Sequence, residues 1–524
     1  MKIRAALILD NLSICKWQQD ALNDALDILD VQLVLNCTNT ATKRKLDKHL
    51  FYYILNSLTL KNTESRKGPY DVTRESVVNF DGDYQGLWQS FPLAILDRIK
   101  KDEIQVIIKF GMGLLKVRGD ISYCPILSYH HGDPSKYRGR PAGFYEILNA
   151  EKKSGIIVQR LSNELDAGTV YAYGEVKTIS HSYKQTSINF YSSSRHLLRR
   201  ALINLKNNTP LGLQATGKNY TLPSNVVVLR FCLRLLQARL KRILYGAFYE
   251  KRWRVAVSSV EIDFESSNNL DISGSTEIPI SRGYKFYADP FFSMDGSVIR
   301  LEALDKKTGL GDILEISVSD LSSQTVILTG GHYSYPSSFI ANGCAFLLPE
   351  VASHSPQYVY QLNEGVRSKI FLKGLEDHRI VDATMYEKDG CWYLFFGLNH
   401  NAHSVLHLWV CKDLKGEFKP HPVSPICLTP CSSRMGGNIV LHNKNIYRLG
   451  QNNEGGYGEA LTISKVLEMT PQRYREIVCG SVQVNGFKGP HSLAINSANG
   501  TKVFDYYDDQ FSLLSGLRRL RAKI

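Results

Sequence analysis

The ten cysteines of this 524-residue chain include no Cys-x-x-Cys pair and form no dense framework. A disulfide scaffold and a zinc knuckle are thereby excluded, no metal site is expected, and a reducing, cytoplasmic setting is the expectation. No run approaches the roughly 18 consecutive apolar residues of a membrane-spanning helix. The N-terminus, MKIRAALILDNLSICKWQQ, lacks the small-residue cleavage site of a signal peptide and reads as a first β-strand. Basic residues are not interleaved with aromatics as on RNA-binding sheets, and zinc-finger spacing is missing, so no nucleic acid partner is expected. The net charge of +13 leaves anionic lipid, phosphorylated ligands and simple solubility open. The segment GMGLLK, Gly111 to Lys116, lacks the third glycine of a dinucleotide fingerprint and follows a late strand, which excludes that cofactor.

What is present is an ordinary globular composition, 43% hydrophobic and 22% charged, in a chain too long for one core. The first 220 or so residues alternate strand-like segments (IRAALILD, VQLVLNCT, IQVIIKFG, CPILSYHH, GIIVQRL) with helix-like ones (ICKWQQDALNDALDIL, PLAILDRIKK, AGFYEILNA). That alternation predicts an α/β domain over 1–224 with a mostly parallel sheet, whose ligands gather at the carboxyl ends of the strands. KFGMGLL and SYHHGD lie at two such ends. From about residue 285 short strands dominate, paired across Asp295-Gly296, Asn342-Gly343, Asp389-Gly390 and Asn499-Gly500, as β-hairpins require. The recurrence of this unit predicts an all-β five-bladed propeller over 285–524. Between them, 225–284 reads as a basic helix and connector, with Arg230, Arg234, Arg239, Lys241 and Arg242 among Leu and Phe. The helix over 225–249 is either packed against both domains or lies on an anionic membrane surface, a peripheral contact.

His130 ends a strand, Tyr137-Arg138-Gly139 follows seven residues later, and Asp166 precedes Ala167-Gly168. A histidine exchanges protons near neutrality, a carboxylate beside it orients the ring, and glycines let backbone approach a flat ligand. His131 and Asp133 are read either as site residues or as a satisfied turn.

These motifs resemble the folate-dependent formyltransferases, in which a strand ending Asn-x-His is followed by Tyr-Arg-Gly and then Leu-Asp-x-Gly. Here they map onto Ser128, Tyr129 and His130, onto Tyr137-Arg138-Gly139, and onto Leu165-Asp166-Ala167-Gly168. GKNYTLPS, with Tyr220 and Pro223, is similar to the segment that closes the family's shorter members. The resemblance implies a Rossmann-like fold and transfer of a formyl group from 10-formyltetrahydrofolate to an amine. It implies that His130 serves as general acid/base, that Asp166 positions it, and that Phe110, Gly111, Met112, Leu114, Leu115 and Gly168 line the cofactor. Asp133, Tyr137 and Arg138 would face the substrate. Ser128 stands where the family has the asparagine that polarises the formyl oxygen, and His131 is the expected substitute donor.

Residues from about 285 resemble the N-terminal propeller of plant glucosamine inositolphosphorylceramide transferase, related in shape to furanosidase-type glycoside hydrolases. The matching pieces are YADPFF, HYSYPSSFIANGCAFLLPE, IVDATMYEKDGCWYLFFG, SSRMGGNIVLHNKNIYRLGQNNEGGYGEAL and GPHSL. The resemblance places Asp289, Glu302, Glu350, Asp382, Arg434 and His491, with Gln451 and Tyr457, at a binding cleft. SYPSSF carries no acid where the hydrolases have one, so binding of a carbohydrate or polar headgroup is expected rather than hydrolysis. The combined expectation is formyl transfer to an amino sugar of a nucleotide sugar or surface-glycan precursor, with the propeller holding the glycan.

Overall fold

The computed structural model describes residues 2–39, 46–60, 64–72, 75–363 and 366–521. The chain divides into two units, Met1–Leu240 and Lys241–Ile524.

The first unit is built on a mixed sheet. Besides the short Ser13–Cys15 and Lys67–Pro69, its strands are β1 (Ile3–Asp10), β2 (Leu29–Cys37), β3 (Ser76–Phe80), β4 (Val106–Lys109), β5 (Ile126–His130), β6 (Lys153–Arg160) and β7 (Thr169–Lys177). They lie in the order β7-β6-β5-β4-β1-β2-β3. The five from β5 to β3 run parallel, and β6 and β7 extend the edge antiparallel. Near-continuous apolar runs such as Ala5 to Leu9 follow from burial of the parallel strands on both faces. On one face Ile8, Ile107 and Ile126 pack with Phe91, Ile95 and Ile99 of α1 (Leu93–Lys101) and its approach. On the other, Tyr129 meets Trp17 and Phe110. Lys218–Tyr220 pairs in parallel with Tyr137–Gly139, so GKNY returns to the Tyr-Arg-Gly segment.

The second unit is a propeller of five sheets. Blades one to three are successive four-stranded meanders over 284–328, 334–371 and 380–420. Blade four comprises strands between 434 and 484 plus Ser267–Leu270, and blade five joins Leu493–Ile495 and Lys502–Phe511 to Tyr249–Ser258 and Ser275–Glu277. The ring is thus closed by pairing its first strand with its last, which removes the open edge. Residues 249–277, read from sequence as connector, are strands of blades four and five. Each predicted Asp-Gly or Asn-Gly turn joins the two innermost strands of its blade. The glycines take positive φ of 71–74°, and the first turn residue is left-handed as well at Asn342 and Asp389, the type I′ geometry that matches strand twist. Blade four makes the same turn without glycine, at Asn443 and Lys444, both at positive φ.

Candidate functional site

Alternation along β5 puts Ile126, Ser128 and His130 on one face and Leu127 and Tyr129 on the other. Ser128 is in register with Lys109 of β4, and Lys109 with Ile8 of β1. Because Ile8, Ile107 and Ile126 share a core, Asp10, Lys109, Ser128 and His130 share that face at the carboxyl ends of three adjacent parallel strands. Such strand ends are where ligands gather in open α/β sheets.

Asp166 reaches this face from the loop between β6 and β7. Its Oδ2 lies 3.3 Å from His130 Nδ1 and accepts the Gly139 N–H at 2.7 Å. The loop is held down at Gly168, whose N–H donates to Gln159 Oε1 at 2.9 Å. A Cβ there would stand 2.0 Å from the Arg160 carbonyl, so only glycine lets the loop lie on β6. His130 Nε2 is 2.9 Å from the Tyr137 carbonyl oxygen. With that nitrogen donating to a carbonyl, the contact between Nδ1 and the carboxylate is attractive only if a proton sits between them. His130 and Asp166 thus stand side by side on this face.

Lys109 was not singled out from sequence. Lys109 is partly buried at the end of its strand, and among the described residues it has no hydrogen bond or ion pair. Burial pushes its pKa down from 10.5 to about 8, against the opposing pull of Asp10 and Asp166. It is a cation at the centre of the site without a partner.

Other expected site residues are placed differently. His131 turns to the opposite face, stacked with Tyr129 at 6.2 Å and edge-on to Trp17, with Nε2 2.9 Å from Ser194 Oγ. Burial, with a contribution from His130, lowers its pKa to about 3, so it is a neutral core histidine and cannot replace the missing asparagine. Asp133 closes an Asx turn, accepting from the Ser135 N–H and hydroxyl at 2.9 and 2.6 Å. Arg138 is spent on the Gly217 carbonyl (2.8 Å) and Glu164 (3.1 Å). The Tyr137 hydroxyl is occupied by Glu151 and Asn149, leaving its carbonyl as the part that meets His130. Met112 and Leu115 are buried in the core, and Phe110 packs on Trp17. The Gly111 and Met112 amides donate to Ile8 O and Asp10 Oδ1, and Leu114–Leu115 pairs with Trp88–Gln89. These residues shape the loop rather than present side chains to a ligand. Ser128 is buried, with its hydroxyl 3.5 Å from the Tyr129 carbonyl.

In the propeller, Asp289, Tyr335 and Asp382 occupy equivalent bulges on the innermost strands of blades one, two and three. All three have positive φ, 47–49°, a strained conformation for residues with side chains. Tyr335 explains why blade two needs no acid there: its hydroxyl accepts the Gly437 N–H at 2.9 Å and meets Thr384 Oγ1 at 3.1 Å, bracing three blades. Asp382 pairs with Arg434, accepts from Gln451 Nε2 at 3.2 Å, and donates its N–H to Glu350 at 3.0 Å. Asp289 lies 3.0 Å from His491 Nδ1. Asp505, also missed from sequence, accepts the N–H groups of Asp289, His491 and Ser492 at 2.7–3.0 Å and lies 3.3 Å from His491 Nδ1. Burial opposes the charge on His491, but Tyr457, Asp289 and Asp505 outweigh it and hold its pKa well above the ordinary value.

Asp289, His491 and Asp505 bring ligand-type atoms within 4.8 Å of one another. Asp505 already accepts three backbone N–H groups, and an imidazolium between two carboxylates supplies the positive charge a metal ion would. Glu350 is pushed up to about 8 by burial and then by Asp382, and Glu302 well above the usual range by burial, Asp289 and Glu350. The cluster thus sets glutamates of raised pKa beside aspartates paired to Arg434 and His491.

Residues 272–507 match the family described as glucosamine inositolphosphorylceramide transferase 1, N-terminal. The chain is 27% identical over 216 residues to glucosamine inositolphosphorylceramide transferase 1 of Oryza sativa subsp. japonica, covering 38% of this chain and 29% of that protein. It is 28% identical over 207 residues to the Arabidopsis thaliana protein of the same description, covering 37% and 27%. The matches thus span less than a third of these curated relatives. Among solved structures, the chain is similar to a phosphoribosylglycinamide formyltransferase from Anaplasma phagocytophilum (12% identity, TM-score 0.29, 40% of this chain and 89% of that one). It is also similar to a formyltetrahydrofolate deformylase from Pseudomonas putida (14% identity, TM-score 0.26, 40% and 66%). The chain joins an α/β domain to a five-bladed propeller, and it is the propeller region that matches the glucosamine inositolphosphorylceramide transferase 1 N-terminal family.

Proposed function

We propose that the first domain transfers a formyl group from 10-formyltetrahydrofolate to the amine of an amino sugar, in a nucleotide sugar or surface-glycan precursor. The observation that carries this reading is the pairing of His130 with Asp166 at a strand end shared with Lys109 and Asp10. The donor set fits the reactive end of that cosubstrate, which supplies an acyl carbon open to attack by an amine. An acyl oxygen that gains negative charge needs a donor, an attacking amine needs a proton acceptor, and a departing nitrogen needs a proton.

Lys109, in register with Ser128 and longer than serine, supplies the first need. Asp166 accepts the proton released by the amine, directly or through water. His130 holds a proton at Nδ1 and delivers it as the pair relaxes. Tyr137, through its carbonyl, fixes the ring. The propeller binds the sugar-bearing acceptor through the Asp289, Asp382, Arg434 and His491 cluster, and ten free thiols accord with a cytoplasmic setting.

A second reading makes the propeller itself a glycosidic catalyst. It is favoured by Glu350, held near pKa 8 beside the paired Asp382, an acid next to a base. Incubation with 10-formyltetrahydrofolate and a panel of aminodeoxy nucleotide sugars, read by mass spectrometry for one added formyl group, separates the two. Turnover abolished by His130→Ala supports the first; turnover of a glycoside lost in Asp382→Asn but kept in His130→Ala supports the second.

A further inference from the structure

The helix Asn225–Phe248 carries an apolar stripe that the fold does not use. Its inward residues Val228, Phe231 and Leu235 are buried against Phe144 and Tyr183. Val226, Leu229, Leu233, Leu236 and Leu240 recur at alternating spacings of three and four, continue as Ile243 and Leu244, and are each more than half exposed. At 3.6 residues per turn these seven fall in one sector of roughly 100°, clear of the buried face. Arg230, Arg234 and Lys241 line up along one flank of that sector, and Arg239 stands on the other, donating to the His181 carbonyl. The helix contains no acidic residue. At its far end, within the second unit, Ala247 and Phe248 line a groove with Leu513 and Leu517 of the C-terminal segment, held by Arg519 donating to the Gly246 and Tyr249 carbonyls.

We propose that this helix lies in the interface of an anionic lipid bilayer, its leucine stripe among the acyl chains and its basic flank on the headgroups. Two features choose lipid over a second copy of the chain. A three-four stripe is also a coiled-coil seam, but pairing two such helices would bring the flanking Arg230, Arg234 and Lys241 of each together with no carboxylate on either helix to answer them. An anionic surface complements both the apolar stripe and its one-signed flank. No helix of the described residues is long and apolar enough to cross a membrane, so the helix lies on the bilayer rather than through it.

The test is sedimentation of the full chain with vesicles of phosphatidylcholine alone or mixed with phosphatidylserine. Binding is expected to the mixed vesicles and to fall with salt. Replacing Arg230, Arg234 and Lys241 by Gln should weaken it about a hundredfold. Replacing Leu229, Leu233 and Leu236 by Ser should weaken it by more than about a hundredfold. These positions are exposed, and unchanged circular dichroism and melting certify the fold of each variant. In Leu236→Trp, the added emission should shift to the blue on mixed vesicles. Equal affinity for neutral and mixed vesicles, no binding to either, or self-association of the wild type that Leu229→Ser abolishes would each overturn the proposal.

Discussion

Replacing Lys109 with Met should slow the proposed formyl transfer and stabilise the protein at once. The charged ammonium is partly buried without a partner, which its native pKa of about 8, against 10.5 in the open chain, expresses as a penalty. That difference corresponds to roughly 3 kcal/mol of lost stability at neutral pH. The sign follows from proton counting. Between pH 8 and 10.5 the unfolded chain holds the proton and the folded one does not, so wild-type stability rises across that window, while below pH 8 the penalty is complete. Methionine keeps the volume and removes the charge, so the first domain should melt roughly 5–10 °C higher at pH 7 and lose the rise above pH 8. Formyl transfer should fall by a factor of about 10²–10³, the usual effect of removing one donor from a developing oxyanion. Scanning calorimetry at pH 7 and 10 gives the first quantity, and initial rates with saturating folate give the second. A lysine that merely supports the fold would lose stability on replacement; that result, or unaltered turnover, would refute the reasoning.

Alanine at His130 should cost about 10²–10⁴ in turnover while folate affinity changes little, and Asp166→Asn should cost a similar amount, since either change removes the shared proton. Gly168→Ala should reproduce part of the Asp166→Asn defect from a distance, because its Cβ pushes the loop away from Arg160; a normal rate would show that the loop has slack. Asp505→Asn should destabilise the propeller by roughly 3 kcal/mol in urea titrations, through weaker acceptance of three backbone donors and loss of the counter-charge to His491. Glu350 has a native pKa raised from 4.5 to about 8, so the folded propeller binds the extra proton between those values and loses stability as pH rises through them. Melting temperatures from pH 5 to 9 should show this decline, and Glu350→Gln should flatten it.

The hairpin turns were plain in the sequence because turn chemistry is local: an Asn-Gly or Asp-Gly between apolar runs leaves few alternatives. They located the first hairpin in four of five blades, and only the Asn443-Lys444 turn of blade four escaped them. The strands of residues 249–277 escaped because their partners lie far along the chain, as in the pairing of Tyr249 with Phe511. Nothing local distinguishes such a strand from a linker. The His130–Asp166 pair was found through motif order, whereas Lys109 was overlooked because its value depends on register with Ser128, a non-local property. The side on which His131 lies follows from local pattern alone. Period-two alternation through Ser128, Tyr129 and His130 already sends residue 131 to the tyrosine's side, where Trp17 and Tyr129 enclose it. Asp505 was readable as the lone acid within the apolar run VFDYY, although the three amides it gathers come from two blades.

In the proposed function, the Asp10, Lys109, His130 and Asp166 face takes a formylated reduced folate. Isothermal titration of the full chain with 10-formyltetrahydrofolate tests it most directly. Saturable binding at one site, with wild-type folate affinity in Asp382→Asn and one formyl group appearing on an added amino sugar, is the predicted result. No heat of binding and no formylated product across the acceptor panel would contradict it.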